Sequence, residues 1–473
     1  MSGVLIGDPI QIQIRFESSS KWPTDINAMG AAKCAMLMTL AEGIKSMKER
    51  HETHNFDGYL EVTPSYVDLG YMGFIWRIFI RPDQELKMLQ SLRKPSSDAI
   101  ALHKILRKRH IISALHHYTM LSVHTKYPAS SYVLRLAKRW VAAHMLSDLI
   151  PNEAIELLIA YTFVDSAYVF APSTVFSGFM RFLHLLAYHD WINHPLIVDP
   201  HNQITSEEKA LIYSRFKSVR GESYDKGPPM YIVSPDDLNE EKDNITKTIL
   251  DSSFTHDHPE KVVLNRICSI AKRAHNFLIK NLARNDDDSS EDCQYSWVEI
   301  FQESMSSLKA YSALIRVNSE IIIDRFCSST MIDFDYFGPE SLYTLSMKKR
   351  AMGPKTLYKK VYKNLDSKTK LVCAWQPVES VLASLRARFG HLMIFFYNDL
   401  TPDVIAMLWR PQNYDSVTFS TFHSEYKVPI DEEDGIGIKV VTNASDIFRE
   451  IGSILSGVAI DLKIFDKKLL KSE

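Results

Sequence analysis

From Tyr132 to Leu146 the chain reads YVLRLAKRWVAAHML, with Leu134, Ala137, Val141 and Met145 recurring at intervals of three and four. That spacing gathers them on one stripe of a helix. Arg135, Lys138 and Arg139 fall on another stripe, beside Trp140. The apolar stripe predicts a packed helix. The basic stripe is open to three readings: a catalytic element, a nucleic-acid contact, or the solvated side of the helix.

The same periodicities organise the rest of the chain. Ile10, Ile12 and Ile14 alternate with Gln11, Gln13 and Arg15, the period of a half-buried strand. SSSKWPTD breaks that pattern, and Thr24 or Asp25 can cap a long helix reaching to about Arg50. YLEVT and YMGFIWRIFI read as two further strands. From Ser97 to about Lys280 the pattern is mostly helical, with SSDAIALHKILRKRHIISALHHYTMLSVH as one long amphipathic helix or a broken pair. Pro151 suits a helix start, with Glu153 and Glu156 in the first turns favourable to the helix dipole, and VFSGFMRFLHLLAYHDW is a strongly apolar helix. NHPLIVDPHN and GPPMYIVSPDDL are extended. ARNDDDSSEDCQ is an acidic linker without apolar content.

Beyond the linker, SWVEIFQESMSSLKAYSAL returns to helix. The last hundred residues then alternate strand LVCAW, helix PVESVLASLRARF, strands HLMIFFYN, VIAMLWR, SVTFSTF and GIGIKVV, helix ASDIFREIGSIL and strand VAIDLKIF. This order predicts a ferredoxin-like (RRM-like) α+β domain. The fold class is α+β multidomain. Its expected divisions are residues 1–95, 96–283, a linker at 284–296, and 297–473.

Composition narrows the function only slightly. At 473 residues the chain exceeds the size of one growing core, so about two to four domains are expected. A net charge of −2 makes any nucleic-acid surface a local patch on a balanced background. Cys34, Cys268, Cys293, Cys327 and Cys373 form no C-x-x-C pair, which argues against a zinc knuckle or a disulfide framework and for a reducing compartment. No signal sequence opens the chain and no apolar run is long enough to cross a bilayer, so no membrane partner is expected. A domain that starts so abruptly suggests a fragment of a longer protein.

A nucleotidyl transferase needs two carboxylates, D-x-D, after a Gly-Ser turn, and a third on a nearby strand, to hold two metal ions. Asp286/Asp288 lie in the acidic linker and Asp333/Asp335 in MIDFDYFG; neither pair follows such a turn. The histidine pairs His51/His54, His116/His117 and His256/His258 lack H-E-x-x-H spacing and cysteine partners. There is no P-loop and no nucleophile elbow. No catalytic residue, metal or cofactor is expected.

Basic clusters are better marked. MKKRAMGPKTLYKKVYKN gathers Lys348, Lys349, Arg350, Lys355, Lys359, Lys360 and Lys363 without an acid, and interleaves Tyr358 and Tyr362. Such cations gain affinity for phosphates by counterion release, and rings can stack on bases. The alternative is a solvated helical face. Lys104, Arg107, Lys108 and Arg109 form a second cluster, also readable as a solvated helix face, and Arg135, Lys138 and Arg139 a third, also readable as salt-bridged or solvated. Ser289, in SSED, has the acidic surroundings that casein-type kinases prefer; an unmodified spacer serine is the plainer reading.

RKRHIISALHHYTMLSVHTKYPASSYVLRLAKRWVAAHML, EAIELLIAYTF, GFMRFLHLLAYHDWINHPLIVD and the later HLMIFFYND and VIAMLWRP resemble the C-terminal part of the Nrap family, nucleolar RNA-associated proteins of the small-subunit processome. FESSSKWPTDINAMGAAKCAML resembles the end of that family's second nucleotidyltransferase-like domain. The resemblance implies the tail of a degenerate nucleotidyltransferase-like domain, a helical domain similar to that of poly(A) polymerases and oligoadenylate synthetases, and a C-terminal domain. It also implies nucleolar localisation, a non-catalytic role in early pre-rRNA processing and a link to tRNA export. Implied partners are pre-rRNA in a small nucleolar RNP and a module of an RRM-bearing assembly factor with casein kinase. Two other readings stay open: an active RNA nucleotidyltransferase with its catalytic domain upstream, and a pure protein–protein adaptor.

Overall fold

The computed structural model describes residues 9–16, 21–50, 56–72, 74–91, 96–164, 170–221, 226–238, 252–282, 297–302, 305–318, 343–346, 377–418, 426–430, 439–466 and 469. They fall into two compact units, one within Met1–Lys138 and Asp148–Ser289, the other within Arg139–Ser147, Ser290–Thr369 and Trp375–Glu473.

The first unit opens with strand β1 (Ile10–Arg15), helix α1 (Ile26–Arg50) and strands β2 (Phe56–Val62), β3 (Val67–Tyr71) and β4 (Phe74–Arg81). They form a four-stranded sheet in the order β1-β4-β3-β2, with β1 parallel to β4 and the other pairs antiparallel. Helix α1 packs on it through Met29, Leu37 and Ala41, which share a core with Trp22, Val67 and Ile80. The Ile alternation of β1 is that of a strand, but β1 stands at the sheet edge. Ile10 and Ile12 remain 40% and 37% exposed.

Helices α2 (Asp83–Gln90), α3 (Ser97–Arg107), α4 (Ser113–Lys126), α5 (Ala129–Ala143), α6 (Asn152–Val164) and α7 (Val175–Tyr188) follow. The long pattern expected from Ser97 onward is a broken pair: a π-turn at Lys108–Ile112 separates α3 from α4. Helix α6 is apolar nearly all round and accordingly buried, from Ala154 to Phe163. Helix α7 starts with a capping box between Thr174 and Ser177. Gly178 lets α7 sit close to its neighbours: a Cβ there would lie 2.7 Å from Val133 Cγ2 and 3.2 Å from Phe163 Cζ. Strand β5 (Leu196–Ile197), helix α8 (Ser206–Arg220), strand β6 (Ile232–Val233), the single turn α9 (Pro235–Leu238) and helix α10 (Lys261–Leu282) complete the unit, with α10 packed on α7.

The second unit takes in the end of α5. There Met145 adopts a left-handed conformation (φ 57°). Leu146 N donates to Val141 O and Met145 N to Ala142 O, the paired bonds of a Schellman cap. Leu146 then bridges to Tyr397, and Ser147 Oγ donates to Asp399 Oδ1 at 2.7 Å.

The main sheet of this unit comprises β7 (Ala313–Val317), β8 (Tyr343–Ser346), β9 (Met393–Tyr397), β10 (Val404–Trp409) and β14 (Ala459–Ile464). The order is β8-β14-β7-β10-β9, every pair antiparallel. Helices α11 (Pro377–Phe389) and α12 (Ala444–Ile454) supply Leu382, Leu385, Phe389, Ile447, Phe448 and Ile451 to its core. The helix expected over SWVEIFQESMSSLKAYSAL is overturned at its end. A 3-10 turn (Trp297–Phe301) and a helical turn (Met305–Leu308) lead into β7 instead. The reason is that Ala313, Leu314, Ile315 and Val317 are all buried, and a short continuous apolar run has no period by which strand and helix can be told apart. LVCAW, expected as the first strand, lies outside the described residues. A three-stranded sheet of β11 (Val417–Thr418), β12 (Lys427–Ile430) and β13 (Lys439–Thr442) accounts for the described parts of SVTFSTF and GIGIKVV.

Candidate nucleic-acid interface

The basic stripe of α5 divides. Lys138 is half-buried, and its Nζ donates to Glu156 Oε1 on α6 at 2.6 Å. The other oxygen of Glu156 accepts from His116 Nε2 at 2.7 Å. Burial opposes the charge of Glu156. The hydrogen bond from His116 and the charge and hydrogen bond of Lys138 outweigh it, and the carboxyl is held down to about 2. Nearby, Ser130 Oγ donates to Tyr127 O at 2.6 Å, which uses its single proton. His124 Nδ1 therefore donates to Ser130 Oγ, at 2.7 Å. Lys138 is thus an internal ion-pair partner.

Arg135 points outward. It is exposed, and its guanidinium carbon lies 4.9 Å from the Tyr132 ring centroid, with Tyr132 itself 57% exposed. Arg139 is exposed and belongs to the second unit. Trp140 is fully buried, as are Ala137, Val141 and Met145, and Leu134 is half-buried.

The π-turn splits the 104–109 cluster in the same way. Lys104, Lys108 and Arg109 are exposed, and Lys108 Nζ lies 5.4 Å from the Phe254 ring centroid. Arg107 and His110 are buried. Burial, then the charges of Arg81, Lys33 and Arg109, push His110 down to about 4. The imidazole is neutral at pH 7, and its Nδ1 accepts from Gln13 Nε2 at 2.9 Å. Arg81 donates to the His110 carbonyl at 2.6 Å. The turn is thereby pinned to the sheet by its histidine, while its two cations, Lys108 and Arg109, face water.

In the sheet, Asp68 and Arg77 stand directly opposite each other on β3 and β4. Arg77 grips both oxygens of the buried Asp68, at 2.8 and 2.7 Å. Among the described residues no group of three or more His, Cys, Asp or Glu could hold a metal ion, and no helix is long and apolar enough to cross a membrane. Lys348, Lys349, Arg350, Lys355, Lys359, Lys360, Lys363 and Ser289 lie outside the described residues, as do both D-x-D pairs.

One signal escaped the reading of individual clusters. From Ala99 to Ser147 the chain contains no Asp or Glu, yet it carries Lys104, Arg107, Lys108, Arg109, Lys126, Arg135, Lys138 and Arg139. In the first unit, Lys104, Lys108, Arg109, Lys126 and Arg135 of this run are exposed. This helical run carries exposed cations and no acid of its own, even though the whole molecule is nearly neutral.

A sheet of this kind followed by a helical domain is a nucleotidyltransferase-like arrangement, and family comparison agrees. Residues 4–126 match the Nrap protein nucleotidyltransferase domain 4, residues 127–302 the Nrap protein PAP/OAS1-like domain 5, and residues 308–460 the Nrap protein domain 6. The chain belongs to the Nrap family. It is similar to human Nucleolar protein 6, 26% identical over 95% of this chain and 35% of the relative, and to mouse Nucleolar protein 6, 27% identical over 87% of this chain and 32% of the relative. U3 small nucleolar RNA-associated protein 22 of Schizosaccharomyces pombe is 24% identical over 96% of this chain and 37% of its own length. The chain spans about a third of the length of these curated relatives. Among solved structures, a chain of the E. coli MS115-1 CdnC:HORMA-deltaN complex covers 58% of this chain and 71% of its own at 13% identity, with a TM-score of only 0.29.

Proposed function

We propose that this chain is a non-catalytic, RNA-binding scaffold segment that works in the nucleolus, in the small-subunit processome, during pre-rRNA processing and ribosome biogenesis. The observation that carries the reading is the acid-free run from Ala99 to Ser147, whose exposed cations suit a phosphate backbone. The names of its relatives, a nucleolar protein and a U3 small nucleolar RNA-associated protein, support that setting. In favour of a non-catalytic role, the buried carboxylate of the nucleotidyltransferase-type sheet, Asp68, is taken up by a guanidinium.

The partners proposed with this role are pre-rRNA, a small nucleolar RNP, an RRM-bearing assembly factor and casein kinase, with Ser289 as a phosphosite and the 348–363 cluster as further RNA contacts. A role in tRNA export belongs to the same proposal. For the C-terminal unit we propose a ferredoxin-like domain with an added edge strand: the order β14-β7-β10-β9, with α11 and α12 as its crossovers, supports it. For domain limits we keep 1–95, 96–283 and 297–473 around the 284–296 linker. Helices α3 and α4 stand at the first join, since Leu106 packs with Leu86 and Leu89 while His116 pairs with Glu156.

Salt-dependent RNA binding tests the role. Anisotropy of a labelled pre-rRNA fragment, titrated with the full chain at several salt concentrations, gives a log–log slope. Replacing Lys104, Arg109 and Arg135 by Glu lowers affinity about tenfold or more and reduces the slope by about one for each phosphate that is no longer neutralised. No binding at low salt removes the RNA role. Template-free nucleotide addition to an RNA primer by this chain with magnesium removes the non-catalytic one.

A further inference from the structure

Helices α7 and α10 of the first unit bring three rings together along their seam. The His184 and Tyr188 centroids are 4.9 Å apart, His184 and His275 5.3 Å, and Tyr188 and His275 5.6 Å. His275 is 7% exposed and forms the floor; Tyr188 is 46% exposed, and His184 is exposed as well. Tyr188 is held in place, since its hydroxyl donates to Asn276 Oδ1 at 3.1 Å. Lys272 Nζ lies 5.6 Å from the Tyr188 centroid, and Arg273 beside it in sequence is exposed. Neither helix contains an Asp or Glu. Asp190, two residues past Tyr188, has its carboxylate occupied by the Asn193 side chain and by the backbone N–H groups of Ile192 and Asn193.

Here a ring is fixed in orientation, left open to water and flanked by cations on acid-free helices. We propose that this seam binds single-stranded RNA, with a base stacking on Tyr188 and His184 and the neighbouring phosphates held by Lys272 and Arg273. Unpaired bases offer the π-face such a platform takes, whereas a duplex hides its base faces and an acidic peptide has none. The site rests on the RNA-binding role proposed above and names the form of RNA it takes.

The test uses the full chain, a fluorescein-labelled 12-nucleotide oligouridine, a duplex of the same length and a poly-glutamate competitor. Tyr188→Ala weakens single-strand binding about tenfold or more, Tyr188→Phe stays within about twofold, and Lys272→Glu weakens binding and flattens its salt dependence. On the unaltered chain, 4-thiouridine photo-crosslinking places adducts on the α7–α10 seam, a readout that does not depend on any variant folding. A folded Tyr188→Ala protein that binds oligouridine like the parent, or crosslinks found only elsewhere, overturns the seam and leaves the scaffold role standing. Equal competition by duplex or poly-glutamate overturns the stacking assignment. A chain that binds no RNA of any form overturns the broader role and the seam together.

Discussion

Lys138 and Glu156 are joined Nζ to Oε1 at 2.6 Å, across the gap between α5 and α6. His116 closes on the other oxygen from α4, so one carboxylate ties three helices. Removing it leaves a half-buried ammonium and a buried imidazole without their acceptor. Glu156→Ala is expected to cost about 2–3 kcal/mol, somewhat below the range for fully buried pairs because Lys138 is partly wet. Urea denaturation of the two proteins side by side measures it, and a loss under about 0.5 kcal/mol would place Glu156 among ordinary surface pairs.

A buried histidine and a half-buried glutamate make the first unit sensitive to acid in separate windows. His110 has its folded value near 4 against an ordinary 6.5, so the unfolded chain takes up its proton first and stability falls between pH 6.5 and 4. Glu156, near 2 against 4.5, adds stability that is complete above 4.5 and is lost as the pH falls toward 2. Each window is worth up to about 3 kcal/mol. His110→Gln should flatten the upper window of a pH series of urea midpoints and leave the lower one in place.

Gly178 is required by a close approach rather than by backbone conformation. Alanine would gain up to about 1 kcal/mol in helix propensity, but its methyl would stand 2.7 Å from Val133 Cγ2, and such overpacking costs about 1–3 kcal/mol. Gly178→Ala is therefore expected to lower the melting temperature. Val133→Ala combined with it should recover part of the loss, a coupling that a double-mutant cycle reads directly.

Met145 sits at φ 57°, where glycine is the easy residue, and is only 2% exposed. Glycine would relieve about 1 kcal/mol of backbone strain but forfeit about 2–3 kcal/mol of burial. Burial wins: Met145→Gly is expected to destabilise by about 1–2 kcal/mol, measured by thermal or urea unfolding. A glycine variant more stable than the parent would reverse that ranking.

Residue spacing was a reliable guide wherever the deciding contacts repeat along one element. The stripe Ala137, Val141 and Met145 is buried as its period implies, and the two helices of the C-terminal unit lie where periodicity puts them; β9 and β10 are strands as expected, but as continuous buried runs rather than alternating ones. It was a poor guide where burial is continuous, as in β7, or where a strand's position in its sheet decides its exposure, as in β1. The acid-free run is present in the amino-acid order, yet becomes informative only once it is known which of its cations are exposed.

The amino-acid order by itself determined most of the elements, the cationic bias of residues 99–147 and the absence of acid from α7 and α10, because these are properties of neighbours in the chain. Only the folded arrangement decided that Lys138 is paired while Arg135 is open, that His110 is neutral, and that Tyr188 and His275 meet although they are far apart in sequence. Those outcomes depend on partners brought together by tertiary packing, and local periodicity carries no information about who they are.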